Sequence, residues 1–148
     1  MATAALEHRQ GAPTTYDIDL DLGGGRRLTG TVTPVFDATT VSVNYSKLRD
    51  TRLLQAWIPL VALAGMRPGG EWTARCIGRD RGGERALQRV FGPPPNPVET
   101  LRELVWLYDI GRCEPLPLPI KTSFAWAEKR HAGRDPVWYA SSKWATQR

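Results

Sequence analysis

Cysteine and histidine are scarce in this chain of 148 residues, which contains two of each. Cys76 and Cys113 form no CxxC pair and lie far apart in the sequence, so two reduced thiols are favoured over a disulfide. His8 and His131 stand alone, which argues against a zinc site. We therefore expect neither a bound metal nor another cofactor.

Long apolar runs are also missing. No stretch reaches the length of about 18 apolar residues that a membrane span needs. No signal-peptide pattern opens the chain, so we expect a cytoplasmic protein that does not contact a membrane. Positive charge, in contrast, is plentiful, with a net charge of +5. A polyanionic partner and a solvated basic surface both explain this charge, and composition alone leaves the two open.

The apolar pattern predicts one folded domain over residues 16–148, preceded by a linker or disordered start over residues 1–15. Runs of alternating or β-branched residues, bounded by turn residues, predict five strands. They are Tyr16–Leu22, Arg26–Phe36, Thr40–Ser46, Trp72–Gly78 and Arg85–Phe91.

A helix is predicted to follow the third strand. It begins near Ser46 or Asp50, both capable N-caps, and runs to Ala64. Its surface is apolar almost all round, which indicates a helix buried against the sheet. We expect Trp57 and Leu54 to be buried against Val41, Val43 and neighbouring sheet residues. Further helices are predicted towards the C-terminus, so the fold class is α+β, with a mixed sheet, a buried central helix and additional C-terminal helices.

Several short motifs occur in an order that resembles a known family, the C-terminal domain of the RecC chain. RecC is the gamma subunit of exodeoxyribonuclease V, the RecBCD helicase–nuclease. The resemblance runs from about Asp17 to Trp144. The motifs are Leu28-Thr-Gly30, Tyr45-Ser-x-Leu48, Trp57, the helix from Leu104 to Tyr108, Pro115 to Pro119 followed by Lys121-Thr-Ser-x-Ala-Trp126, and Trp138-Tyr139.

The resemblance implies a fold like that of the PD-(D/E)xK nucleases. Those enzymes place one carboxylate on a strand, and a carboxylate-x-lysine unit on the next strand, to hold Mg²⁺ and activate water. At the corresponding places this chain has Thr33, Asn44 and Ser46, which bring neither a negative charge nor an ammonium group. The resemblance therefore implies a degenerate, non-catalytic nuclease fold that binds no metal.

The same resemblance implies a role in double-strand break repair by homologous recombination. The expected partners are the other subunits of the RecBCD complex and DNA, either a forked duplex or a single strand. Five basic residues near a strand mouth and at the start of the buried helix are the candidate DNA contacts. They are Arg26, Arg27, Lys47, Arg49 and Arg52.

Two other functions remain open from the residues. The first is an active metal-dependent nuclease that uses relocated carboxylates. Its candidates are Asp19, Asp21, Asp37 and Glu71. The second is a protein-interaction module that uses an apolar C-terminal surface and does not contact nucleic acid.

Overall fold

A computed structural model describes residues 11–80, 82–83, 85–116 and 119–145. Nine elements lie in these residues, and the backbone contacts divide the chain between Tyr108 and Asp109 into two compact units. In chain order the elements are β1 (Thr14–Gly23), β2 (Arg26–Phe36), β3 (Thr39–Lys47), α1 (Asp50–Met66), β4 (Thr73–Arg79), β5 (Ala86–Phe91), α2 (Pro97–Cys113), α3 (Ile120–His131) and α4 (Pro136–Ala145).

The predicted α+β class is confirmed, and so are the five strands within one to two residues at each end. The expected linker over residues 1–15 lies largely outside the described residues, although Thr14 and Thr15 already belong to β1. No helix in the described part of the chain combines the length and the apolar character that crossing a bilayer requires.

The strands form one mixed sheet in the order β1-β2-β3-β4-β5. Neighbouring pairs are antiparallel except β3 and β4, which run parallel. A parallel pair needs a crossover connection, and α1 supplies it between these two strands. The C-terminal ends of β3 and β4 and the N-terminus of α1 therefore meet at one edge of the sheet.

A bulge interrupts the pairing of β1 and β2 at Pro34. Between the pairs Thr14–Val35 and Tyr16–Val32, two residues of β2 stand opposite one residue of β1. Proline has no N–H to donate to a ladder, so the extra residue falls where pairing is interrupted.

The C-terminal half of α1 is the centre of the core. Leu60, Val61 and Leu63 have no exposed surface. Helices that are apolar on all sides are covered on all sides, and α1 packs on the sheet with one face and on α2 with another. Leu101 of α2 is buried with Val61.

Three predictions about α1 hold only in part. The helix begins at Asp50, one of its two predicted starts, but Ser46 lies in β3, and Arg49 occupies the N-cap position without a side-chain cap. Ile58, part of the apolar surface, is 42% exposed. Trp57 and Leu54 are only half-buried, and Trp57 packs on cores that include sheet residues but neither Val41 nor Val43. The exposure of the side chains decreases along the helix, so most residues of its first two turns are partly exposed to solvent.

Both cysteines are free, as predicted, but their surroundings differ. Cys113 is exposed, whereas Cys76 on β4 is buried. The Cys76 thiol donates to the backbone carbonyl of Arg52 in α1, at 3.9 Å. Burial raises the pKa of the Cys76 thiol, against smaller lowering effects from a Ser42 hydrogen bond and from Arg52.

We expect Leu63→Ala to destabilise the protein by about 2–5 kcal/mol, because it leaves a cavity where the helix is fully covered. Ile58→Ala is the matched control on the same helix and should cost less than about 1 kcal/mol, since part of Ile58 is already in water. Urea unfolding measures both. Equal losses would mean that the buried half of α1 is misassigned.

We also expect a thiol reagent at pH 8 to modify one cysteine rapidly. That residue is Cys113, and Cys113→Ser should abolish the fast phase. Cys76 should react only in denaturant, because it is buried and because its raised pKa keeps the thiol protonated. Because the pKa of Cys76 is higher in the folded protein than in the unfolded chain, the protonated thiol favours the folded state. This contribution to stability is complete below the ordinary thiol pKa of the unfolded chain and is lost as pH rises through the raised pKa of the folded protein. Two fast equivalents in the native protein would contradict this prediction.

Candidate functional site

A cleft opens where β2 and β3 diverge. The two strands are hydrogen-bonded neighbours at only two positions, Val35–Thr40 and Phe36–Thr39, beside the turn that joins them. Beyond these pairs they separate over α1 and enclose a cleft of about 160 Å³. Its lining residues are Thr31, Val32, Thr33 and Pro34 from β2, Thr40, Val41 and Ser42 from β3, and Gln55, Ala56 and Pro59 from α1.

The turn at the closed end of the cleft is held in place by its own backbone. Asp37 and Ala38 have φ values of 42° and 63°. Positive φ at both central residues is what a two-residue hairpin turn requires. The Ala38 carbonyl accepts the Thr73 N–H at 3.0 Å, which ties the turn to the start of β4. The cleft is therefore fixed at this end and open at the other.

Thr33 lies in the β2 wall of the cleft. Its hydroxyl is 3.0 Å from that of Thr15 on β1. Ser42 of β3 lines the cleft together with Thr33, whereas Asn44 is not among the lining residues. Sequence reasoning missed Ser42, although strand alternation puts it on the same face as Asn44.

Asn44 and Ser46 lie farther along β3, at about 7 and 13 Å from Ser42 for an extended strand. They are absent from the described lining of the cleft. The Ser46 hydroxyl donates to the Asn44 side-chain carbonyl at 3.1 Å. The structure thus joins two of the three predicted positions and separates both from Thr33.

The side chains at these positions do not fit Mg²⁺. Thr33, Ser42, Asn44 and Ser46 supply only neutral oxygens, whereas Mg²⁺ sites in enzymes are built on one or two carboxylates. Several of these oxygens are also committed to hydrogen bonds within the protein. The nearest carboxylates in sequence are Asp37, which is exposed in the β2–β3 turn, and Asp50, which opens α1.

The carboxylates of the alternative nuclease hypothesis lie apart along the fold. Asp19 and Asp21 are on the exposed face of β1, Asp37 is in the β2–β3 turn, and Glu71 is exposed just before β4. Asp21 accepts the Gly23 N–H at 2.8 Å. In the described residues, no three His, Cys, Asp or Glu side chains gather around a position for one metal ion.

Three of the five predicted DNA contacts come together at the C-terminal edge of β3 and β4. Lys47 ends β3, Arg49 caps α1, and Arg52 lies in the first turn of α1. Arg79, which sequence reasoning missed, stands opposite Lys47 in the parallel register. Only the strand pairing reveals it, because 32 positions of sequence separate the two residues. We call Lys47, Arg49, Arg52 and Arg79 the strand-end cluster.

Close backbone packing positions this cluster. The Leu48 N–H donates to the Arg79 carbonyl at 2.9 Å, which binds the link between β3 and α1 to the end of β4. The Leu48 side chain packs over Gly78, where an added Cβ would lie 2.6 Å from the Leu48 Cγ. Only glycine allows this approach. Arg52 is oriented by Gln55, to which it donates at 3.0 Å.

Arg26 and Arg27 lie in the β1–β2 hairpin, away from the strand-end cluster. They begin β2, which pairs at these positions with β1 only. The Arg27 side chain forms a two-pronged ion pair with Asp19, with Nη2 to Oδ2 at 2.6 Å. Through this hydrogen bond Arg27 lowers the pKa of Asp19. Arg27 would have to give up this ion pair to reach a phosphate.

Comparison with known proteins identifies similar chains. The family model described as RecC C-terminal domain matches residues 1–131. The RecBCD enzyme subunit RecC of Mycobacterium tuberculosis (strain ATCC 25618 / H37Rv) is 57% identical over 148 residues, which is 100% of this chain and 14% of that protein. The subunit of the same name from Mycolicibacterium smegmatis (strain ATCC 700084 / mc(2)155) is 57% identical over 136 residues, 92% of this chain and 12% of that protein.

Proposed function

The chain belongs to the family of RecC C-terminal domains, and on that premise we propose that it is a non-catalytic domain of a RecBCD enzyme subunit. The observation that carries this proposal is identity of 57% over the entire chain with a protein named RecBCD enzyme subunit RecC. The chain spans 14% of the length of that relative. Its proposed task is to help assemble the subunits and to guide DNA during recombinational repair.

We propose that the fold is that of a PD-(D/E)xK nuclease. Its support is the arrangement around the cleft: an antiparallel pair, β2 and β3, opens over a buried helix that follows β3 and leads to a parallel strand, β4. In such nucleases the metal site lies where β2 and β3 diverge. Here that place holds hydroxyl groups, which argues for a domain that keeps the fold without the chemistry.

We expect no cleavage when the purified chain is incubated with linear duplex and single-stranded DNA in Mg²⁺ or Mn²⁺. Two carboxylates are needed to hold the metal against the phosphate, and Thr33 and Ser42 offer none. Gel analysis of end-labelled DNA measures the outcome. Cleavage that persists through purification and disappears in Asp19→Ala or Asp37→Ala would support the relocated-carboxylate nuclease instead.

We propose that the strand-end cluster contacts the phosphate backbone. Ligands of sheets with parallel strands bind beyond the C-terminal ends of those strands. The cluster sets four positive side chains there, beside the N-terminus of the 17-residue helix α1, and Asp50 in the first turn is the one acidic residue of that turn. The helix dipole is positive at that end. These contacts carry no base information, so binding would be independent of sequence and weak, with Kd of roughly 10⁻⁴–10⁻⁶ M. Of the two remaining predicted contacts, Arg27 is the less available to a phosphate because it is paired with Asp19.

We expect Arg49→Ala/Arg52→Ala to lower the slope of log K against log[salt] by about two, since each lost phosphate contact removes about one unit. Fluorescence anisotropy with forked DNA at several salt concentrations measures the slope. Arg67→Gln is the matched control, because Arg67 follows the C-terminus of the same helix. It lies about 25 Å along the helix axis from the N-terminus, so its replacement should leave the slope unchanged. Equal slopes in all three proteins would exclude this edge from DNA contact.

A protein-interaction module is the second candidate, and exposed aromatic residues favour it. Trp106 and Tyr108 on α2 are 62% and 64% exposed. Large exposed aromatic side chains are enriched at protein interfaces. If the chain binds other RecBCD subunits and shows no salt-dependent DNA binding, this candidate replaces DNA guidance and leaves the assembly role in place.

A further inference from the structure

The helical hairpin formed by α3 and α4 exposes aromatic rings around its connection. Trp138, in the first turns of α4, is 63% exposed, and Trp126 of α3 is 38% exposed. Val137 and Trp144 are exposed on α4 as well. A folded domain rarely leaves several such side chains in water without a use for them.

Cations accompany these rings. The Arg130 guanidinium carbon lies 5.0 Å from the centre of the Trp126 ring. The Lys129 ammonium lies 4.2 Å from the centre of the Tyr139 ring, which in turn meets Trp138 edge to face at 4.8 Å. Both distances are within the range of a cation–π contact. Each contact orients a positive charge beside an exposed aromatic surface.

The connection between the helices fixes this arrangement. Gly133 has a φ of 65°, which lets the chain turn after α3, and the Arg134 N–H donates to the Lys129 carbonyl at 2.9 Å. Asp135 caps α4 by accepting the Val137 N–H at 2.9 Å. The last turn of α3, with Lys129 and Arg130, is thereby held next to the first turn of α4, with Trp138 and Tyr139.

Charge defines which ligand suits this surface. Residues 120–145 contain five lysine or arginine residues and two acidic ones. One of the acidic residues, Asp135, serves the α4 N-terminus. A ligand for this surface must combine negative charge with flat apolar groups that can stack on indole. Single-stranded nucleic acid has both, whereas a duplex hides its bases in the stack.

We propose that the α3–α4 hairpin binds single-stranded nucleic acid, with a base stacked on Trp138 and the neighbouring phosphates on Lys129 and Arg130. This site is separate from the strand-end cluster and does not depend on it. An acidic protein segment is the competing ligand. Single-stranded nucleic acid is favoured because the cations stand among the rings, as in stacking platforms, instead of forming a charged rim around an apolar centre.

The test uses the 148-residue chain and three fluorescent probes of equal length: oligo-dT, an abasic deoxyribose-phosphate strand, and a duplex. Trp138→Ala should weaken oligo-dT binding about tenfold, as removal of one stacking aromatic typically does. Lys129→Gln/Arg130→Gln should weaken oligo-dT binding and reduce the slope of log K against log[salt] by about 1.4, since each phosphate contact on a single strand accounts for about 0.7. The abasic strand should bind more weakly than oligo-dT and should not respond to Trp138→Ala.

Trp106→Ala is the matched control. Trp106 is 62% exposed, almost the same as Trp138, but helical spacing sets Glu103 and Asp109 beside it. Arg102, the cation four residues before it, is paired with Glu99. The Trp106→Ala variant should bind oligo-dT like the wild-type chain. Equal loss in Trp106→Ala and Trp138→Ala, or equal affinity for the abasic strand and oligo-dT, would overturn the proposal. Competition by poly-glutamate as strong as that by oligo-dT would identify an acidic protein as the ligand.

The two proposed DNA contacts are distinguishable in the same assay. Arg49→Ala/Arg52→Ala should weaken binding of the duplex and of both single strands, because it removes phosphate contacts. Trp138→Ala should affect only the strand with accessible bases. If Arg49→Ala/Arg52→Ala leaves binding unchanged while Trp138→Ala weakens oligo-dT binding, the strand-end proposal fails and the hairpin proposal stands.

Discussion

The burial of the C-terminal half of α1 is the constraint on which the β-sheet unit, the part of the chain up to Tyr108, depends. Leu60, Val61 and Leu63 are completely covered, with the sheet on one side and α2 on another. Gly65 extends this packing, since an added Cβ would meet Leu20 and Val98 at 3.4 Å. Burying such side chains accounts for several kcal/mol of a total stability of about 5–15 kcal/mol. Because α1 links β3 to β4, the same burial holds these two strands parallel and places their C-terminal ends side by side.

The first half of α1 has a different role. Its residues remain near solvent and form the floor of the cleft between β2 and β3. Pro59 lacks an N–H, so the Gln55 carbonyl has no helical donor on this part of the helix. The cleft is open, and its lining mixes apolar side chains with hydroxyls and one amide. A pocket of this composition offers hydrogen bonds but no charge, which is why it supports a non-catalytic proposal and gives no support for a metal-dependent one.

Positive charge is distributed unevenly over the two units. In the β-sheet unit, four cations gather at the strand ends, and Arg27 is neutralised locally by Asp19. In the helical unit, which begins at Asp109, Lys129 and Arg130 are oriented by aromatic rings. The first arrangement suits a continuous phosphate backbone and the second suits a strand with accessible bases. A net charge of +5 by itself did not distinguish these surfaces from an ordinary solvated one.

Strand alternation in Tyr16–Leu22, the glycine turn after it and the apolar surface of α1 determined the local elements from sequence, since these patterns reflect short-range geometry. The order of short motifs also determined the family. Three features were decided only by the tertiary structure: the pairing of Lys47 with Arg79, the place of Ser42 beside Thr33 in the lining of the cleft, and the ion pair that engages Arg27. The first depends on how the core packs around α1, which joins β3 to β4, and no local pattern encodes that packing. The other two lie within hairpins, where they depend on how β2 and β3 diverge and on which side chains the β1–β2 register sets side by side.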